Sequence, residues 1–236
     1  MPYYITPVPQ PTVNPYASIG TYVTSAFNTI NSSISSAPTI SSLVGLVVSS
    51  LSAFYPSPTT DVQIELESVA NTAINSYVNC LVSGGQAGYN NNQLAFANLL
   101  IGNKMTSNLP LATIGSRISD VEDNISKSGL SVNEQTPLLL ATELGRTAYA
   151  FWKPLPTTGV LPGFLAPSPE NYMDIPYYVE AAMNGALAAY NATPAGMVQP
   201  SDNFVTTKMV SAMIGALTVS IGKVIWGWIP RIQNSK

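Results

Sequence analysis

The sequence contains no histidine and only one cysteine, Cys80. Without histidine, the chain lacks the commonest general base and the commonest transition-metal ligand in proteins. One cysteine excludes a disulfide within the chain, and a structural zinc site cannot be built from it. Cys80 lies in a helical pattern, where a free cysteine usually packs as a small apolar side chain. We therefore expect no metal site and no cofactor.

Charged residues are also scarce. They make up 9% of the chain, whereas ordinary soluble domains carry about 25%. The formal net charge is −3, and hydrophobic residues reach 46%, enough for a sizeable core. A surface with so few charges repels its own copies only weakly. The composition therefore predicts a protein that packs against something, either copies of itself or a membrane.

The few charges are unevenly placed along the chain. Asp61, Glu65 and Glu67 form an acidic patch, whereas every charged residue after Asp202 is basic. This polarity would let copies of the chain meet head to tail. It leaves open a direct contact with nucleic acid, which would involve the four basic residues of the C-terminal part: Lys208, Lys223, Arg231 and Lys236.

No catalytic motif is present. The serines do not lie in a nucleophile-elbow pattern, and no glycine-rich stretch has phosphate-cradling spacing before Lys-Ser or Lys-Thr. We therefore predict no catalytic residues and no enzymatic activity. An enzyme or small-ligand binder would need a buried pocket lined by Glu143, Arg146 and Tyr149.

Two segments are rich in proline. Residues 1–16 contain five prolines, which favour extended backbone, and three tyrosines. We interpret this segment as an extended arm that lies across a neighbouring surface, although a disordered leader is the alternative. It lacks the basic and apolar regions of a secretory signal. Residues 153–169 also carry five prolines, with apolar residues between them, and predict a long loop that covers the bundle or a neighbour.

The sequence pattern of residues 17–236 predicts an all-α fold. We expect these residues to form a single domain, a bundle of about six to eight helices. Apolar residues recur at helical spacing through most segments. Capping boxes are predicted at Thr60–Gln63 and Ser131–Glu134. The segment that ends at Gly129 predicts a helix whose solvated outer face holds five charged residues: Arg117, Asp120, Glu122, Asp123 and Lys127. Glu143 and Arg146 are three residues apart, as for an ion pair along one helix. Residues 43–54 favour a short buried helix, although their β-branched content leaves a strand possible.

The segment 209–229 is apolar or small on every side, with Lys223 as its only charge. Such a helix is either the centre of a large core or a membrane span, and its length permits both. Small residues at four-residue spacing, such as Ser211 and Gly215, allow close helix packing. Trp226 and Trp228 precede basic residues, as in an interface belt. We favour the core or subunit-interface interpretation and keep the membrane alternative.

The proline-rich arm and the Ser-, Thr-, Asn- and Tyr-rich composition resemble coat proteins of viruses of hyperthermophilic archaea. The resemblance implies a self-assembling coat, capsid or sheath subunit, located in a virion or another extracellular assembly. Since the chain is acidic, an outer-shell or envelope-facing role fits better than wrapping DNA. Aromatic residues suit subunit interfaces. The predicted interface residues are Tyr3, Tyr4, Tyr16, Phe164, Trp226 and Trp228.

Overall fold

The computed structural model describes residues 14–34, 38–83, 113–153 and 175–226. The described residues form seven α-helices and a short 3-10 helix, and contain no strand. In chain order these are α1 (Ala17–Ser33), α2 (Ile40–Ser50), the 3-10 helix (Ser52–Phe54), α3 (Thr60–Ser83), α4 (Ile114–Lys127), α5 (Val132–Trp152), α6 (Ile175–Ala192) and α7 (Thr207–Trp226). The prediction of an all-α bundle is confirmed.

Local capping signals explain where several helices begin. Ser131 and Glu134 form the predicted capping box at the start of α5. Thr39 and Ser42 form a similar box on α2, which the sequence pattern did not single out. The cap of α3 differs from the prediction by one residue, because the Thr59 hydroxyl accepts the Val62 amide. Gln63 donates instead to the Glu67 carboxylate.

Helix α7 lies at the centre of the bundle. Its residues from Val210 to Gly222 are all buried, and α6 covers it most extensively. The two helices run antiparallel and come closest at Gly185 and Gly215, where a Cβ on either residue would collide with the carbonyl oxygen of the other. The small residues on both helices therefore serve close packing, as their spacing predicts.

An aromatic cluster joins helices α1, α5 and α6 inside the core. The fully buried Trp152 of α5 contacts Phe27 of α1 at 5.9 Å and Tyr178 of α6 at 5.4 Å between ring centroids. Its indole Nε1 donates to the Ser220 hydroxyl at 3.1 Å, and that hydroxyl donates to the Tyr178 carbonyl at 2.9 Å. The buried indole is therefore satisfied by hydrogen bonds to a neighbouring helix, as a buried polar group requires.

Candidate functional site

A buried polar cluster lies where the start of α1 meets the antiparallel pair α4 and α5. Its members are Asn14, Glu122, Thr142, Glu143 and Arg146; the first four are buried. Arg146 retains about a third of its side-chain exposure (34%) and reaches inward from α5. Among the described residues, this cluster is the densest concentration of charge inside the core, and it is therefore the candidate functional site.

Glu122 and Arg146 form the centre of the cluster. The Arg146 guanidinium donates to Glu122 Oε2 and lies 3.7 Å from Glu143 Oε2. The pairing of Glu143 with Arg146 along α5 is the one that the sequence predicts. Glu122 differs from its prediction: it was expected on the solvated face of this helix, and that expectation is wrong, because Glu122 is only 3% exposed.

Spacing explains the position of Glu122. It follows Ile118 by four residues and precedes Ile125 by three, so it lies on the apolar stripe of α4. The charged residues on the other side of the helix behave as predicted, with Lys127 and Asp123 paired at 3.5 Å near the surface. The helical spacing of Glu122 therefore predicts a buried carboxylate, although a charged residue taken by itself suggests an exposed position.

Asn14 fastens the chain that precedes α1 to this cluster. Its side-chain amide donates to Glu122 Oε1 at 2.7 Å and to the Leu139 carbonyl at 2.8 Å. Its own Oδ1 accepts the Tyr16 amide at 2.9 Å. The bonds to Glu122 and Leu139 connect residues more than a hundred positions apart, and no local sequence pattern indicates them. The last residues of the proline-rich segment are thereby fixed against α4 and α5.

Helix α1 covers the Glu143 carboxylate. An ideal Cβ on Gly20 would lie 2.5 Å from Glu143 Oε1 and 2.7 Å from the Thr147 hydroxyl, so a larger residue here would force these two side chains to shift. Burial raises the pKa of Glu143; the Arg146 charge opposes this shift and the Glu122 charge adds to it. Two carboxylates thus share one guanidinium.

Of the three residues named for a possible enzymatic pocket, Glu143 and Arg146 are paired, whereas Tyr149 faces another part of the bundle. The Glu143 carboxylate points toward α1, whereas the Tyr149 ring packs 3.6 Å from an ideal Cβ on Gly115 of α4. The Lys153 ammonium lies 5.3 Å from the centroid of the Tyr149 ring. Within the described ranges, no group of three or more Asp, Glu or Cys residues could hold a metal ion.

Of the predicted interface residues, Tyr16 and Trp226 are described, whereas Tyr3, Tyr4, Phe164 and Trp228 lie outside the described residues. Tyr16 is half-buried, and its hydroxyl donates to Thr136 Oγ1 at 3.0 Å. Trp226 is partly buried and packs against the core at the end of α7. The structure does not bring these two residues together.

The two described C-terminal lysines lie at opposite ends of α7. Lys208 lies 4.9 Å from the centroid of the Tyr190 ring, near the end of α6. Lys223 lies 5.9 Å from the centroid of the Tyr177 ring, near its beginning. A helix rises about 1.5 Å per residue, so about 22 Å separates the two positions. They do not form one basic patch; Arg231 and Lys236 are outside the described residues.

Comparison with known proteins gives no match for this chain among protein-family models, curated proteins or solved structures. The polar cluster holds α1, α4 and α5 together through fully engaged groups, and that arrangement is typical of a structural anchor.

Proposed function

We propose that the chain is a structural subunit that assembles with copies of itself, in a virion coat or a comparable extracellular sheath. The observation that carries this proposal is the set of large apolar side chains left on the described surface. Phe204 is 90% exposed, Val132 76%, Ile64 58% and Val198 53%. Val198 and Phe204 both belong to the segment between α6 and α7, and large apolar side chains that lie near one another on a surface favour protein–protein contact.

The use of charge inside the bundle supports the same proposal. The chain has 9 basic and 12 acidic side chains, and Glu122, Glu143 and Arg146 are directed into the polar cluster. The surface is therefore poorer in charge than the composition alone implies. Little electrostatic repulsion opposes the approach of a second copy.

The fixed position of Asn14 supports a role for the arm. Its side chain is bonded to α4 and α5, so the preceding 13 residues start from a defined point on the bundle. At about 3.1 Å per residue, an extended polyproline segment of that length reaches about 40 Å. Such a reach suits an arm that crosses onto a neighbouring subunit.

The test is the assembly state of the purified full-length chain. Sedimentation velocity over a hundredfold range of concentration, followed by negative-stain electron microscopy, should reveal regular oligomers or polymers. Removal of residues 1–13 should weaken them and leave the helical content unchanged. Monodisperse monomers at the highest concentration would refute self-assembly.

A membrane role is the second candidate, and one observation favours it. Helix α7 is long and apolar enough to cross a bilayer, with a mean hydropathy of 1.6, yet 72% of its apolar window is buried against the rest of the protein. Lipid contact through α7 would therefore require the bundle to open. Co-flotation of the full chain with liposomes would support this candidate, and its absence in detergent-free buffer would contradict it.

A further inference from the structure

A partly open cavity lies between α2, the 3-10 helix and the start of α3. Its volume is about 180 Å³, and its walls include Val48, Leu51, Tyr55 and Leu66. Gly45 lines the same space, and an ideal Cβ there meets no atom within 4 Å. An apolar cavity of about 150 Å³ is large enough to hold benzene. This cavity therefore has room for one phenyl ring.

Phe204 has the complementary shape. It lies in the segment between α6 and α7, and its ring is 90% exposed. Its backbone is held in place, because the Phe204 amide donates to Asp202 Oδ1 at 2.8 Å and the Tyr22 hydroxyl donates to Asp202 Oδ2 at 3.2 Å. A large apolar ring on an anchored backbone is the kind of group that becomes a central contact in a protein interface.

Charge near the two features is also complementary. The acids Asp61, Glu65 and Glu67 lie on the first two turns of α3, beside the cavity residue Leu66. Glu65 Oε2 is buried without a hydrogen-bond partner in the described structure. Near the Phe204 ring, Lys208 is exposed four residues further along the chain. The Asp202 carboxylate, which also lies near Phe204, already accepts two hydrogen bonds.

We propose that the Phe204 ring of one copy inserts into the cavity beside Gly45 of a second copy. The apolar insertion supplies affinity, and the pairing of Lys208 with the acidic turns of α3 orients the approach. This inference depends on the proposed self-assembly and specifies the contact that produces it.

Two variants test the contact from its two sides. Phe204→Ser removes the ring from a site with no core contacts. Gly45→Leu fills the cavity from within helix α2, where leucine is a good helix former. We expect each variant alone to fold and to lower the association constant at least about 30-fold in sedimentation velocity. Ile40→Ser, an equally polar change at an exposed apolar position of α2 outside the cavity lining, should assemble like the wild type.

A mixture of the two variants gives the sharper result. Phe204→Ser retains an open cavity, and Gly45→Leu retains the ring, so a one-to-one mixture can form one productive contact. We expect heterodimers in the mixture and monomers in each variant alone. Circular dichroism on each variant confirms that the fold is intact.

The outcomes separate the two proposals. Normal assembly of Phe204→Ser would overturn the insertion and leave self-assembly intact. If Gly45→Leu loses assembly while Phe204→Ser retains it, another group occupies the cavity, which also overturns the insertion. A wild-type chain that never assembles would refute the proposed function itself.

Discussion

The contact between Gly185 of α6 and Gly215 of α7 should determine how closely the two central helices approach. In the change Gly185→Ala, the added methyl group would collide with the Gly215 carbonyl and would lie 2.8 Å from the Val219 Cβ. Since the obstacle is backbone, rotation of a side chain cannot relieve the clash. The helices must separate, and the packing on both sides of the contact loosens.

Two effects of opposite sign determine how much Gly185→Ala changes the free energy of unfolding. Alanine is favoured over glycine inside a helix by about 1 kcal/mol. Overpacking a well-packed core costs about 1–3 kcal/mol and more when the backbone must move. Taking about 3 kcal/mol for the clash, we expect a net loss of about 2 kcal/mol in the free energy of unfolding. In a chain of 236 residues this lowers Tm by about 4–8 °C.

Chemical unfolding in urea, followed by far-ultraviolet circular dichroism, measures this loss. With a slope of about 2 kcal/mol per molar, the midpoint should fall by about 1 M. Gly45→Ala is the matched control, since its added Cβ meets no atom within 4 Å. It should gain up to about 1 kcal/mol from helix propensity alone.

A double variant that combines Gly185→Ala with Gly215→Ala tests whether the two glycines share one contact. Once the first methyl group has separated the helices, the second finds space, so the combined loss should be smaller than the sum of the single losses by at least about 0.5 kcal/mol. A Gly185→Ala protein that is as stable as the wild type would refute the close approach. Strict additivity would show that the two glycines do not share one contact.

Three further predictions follow from buried polar groups. Ser220→Ala removes the acceptor of the Trp152 indole and should cost about 1–3 kcal/mol in urea unfolding, while the exposed Ser49→Ala should change stability by less than about 0.5 kcal/mol. Burial raises the pKa of Glu180 to about 7 against the opposing charge of Lys223. The folded state therefore holds a proton that the unfolded chain loses near 4.5, so the Glu180 contribution to stability should fall as pH rises from about 4.5 to about 7. The difference in unfolding free energy between wild type and Glu180→Gln should follow that trend, and a flat difference would contradict it. Arg146→Met leaves Glu122 and Glu143 buried without their shared cation and should lower the free energy of unfolding by about 3 kcal/mol at neutral pH. Part of this stability should return in acid, and an equal loss at pH 4 and pH 7 would contradict the role of charge.

The sequence predicted the helical elements where a physical signal is local. The Ser131–Glu134 capping box depends on atoms three residues apart, and the small-residue spacing around Gly215 depends on one helical face, so both could be read from the chain. The start of α3 was misplaced by one residue because Thr59 and Thr60 are both capable caps, and only the backbone geometry selects between them.

The polar cluster depended on information that the sequence does not carry locally. Asn14 contacts Glu122 across 108 residues, and this contact exists only after α1 has packed beside α4 and α5. Glu122 was assigned to the surface because a carboxylate is rarely buried without a partner. Its partner, Arg146, comes from another helix. Pairwise complementarity between helices, rather than residue type, decides which charges turn inward.

This inward use of charge connects the fold to the proposed assembly. Each ion pair inside the bundle gives little net stability, because desolvation offsets much of the attraction. The same pair removes charge from a surface on which charged residues are already scarce. The cluster also fixes Asn14 at the end of the proline-rich N-terminal segment, and Gly20 lets α1 close over the cluster. A single monomer gains little from a surface that is poor in charge, whereas the proposed subunit would meet less electrostatic repulsion when it packs against copies of itself. Under the proposed self-assembly, burying these charges therefore serves association more than the stability of one subunit.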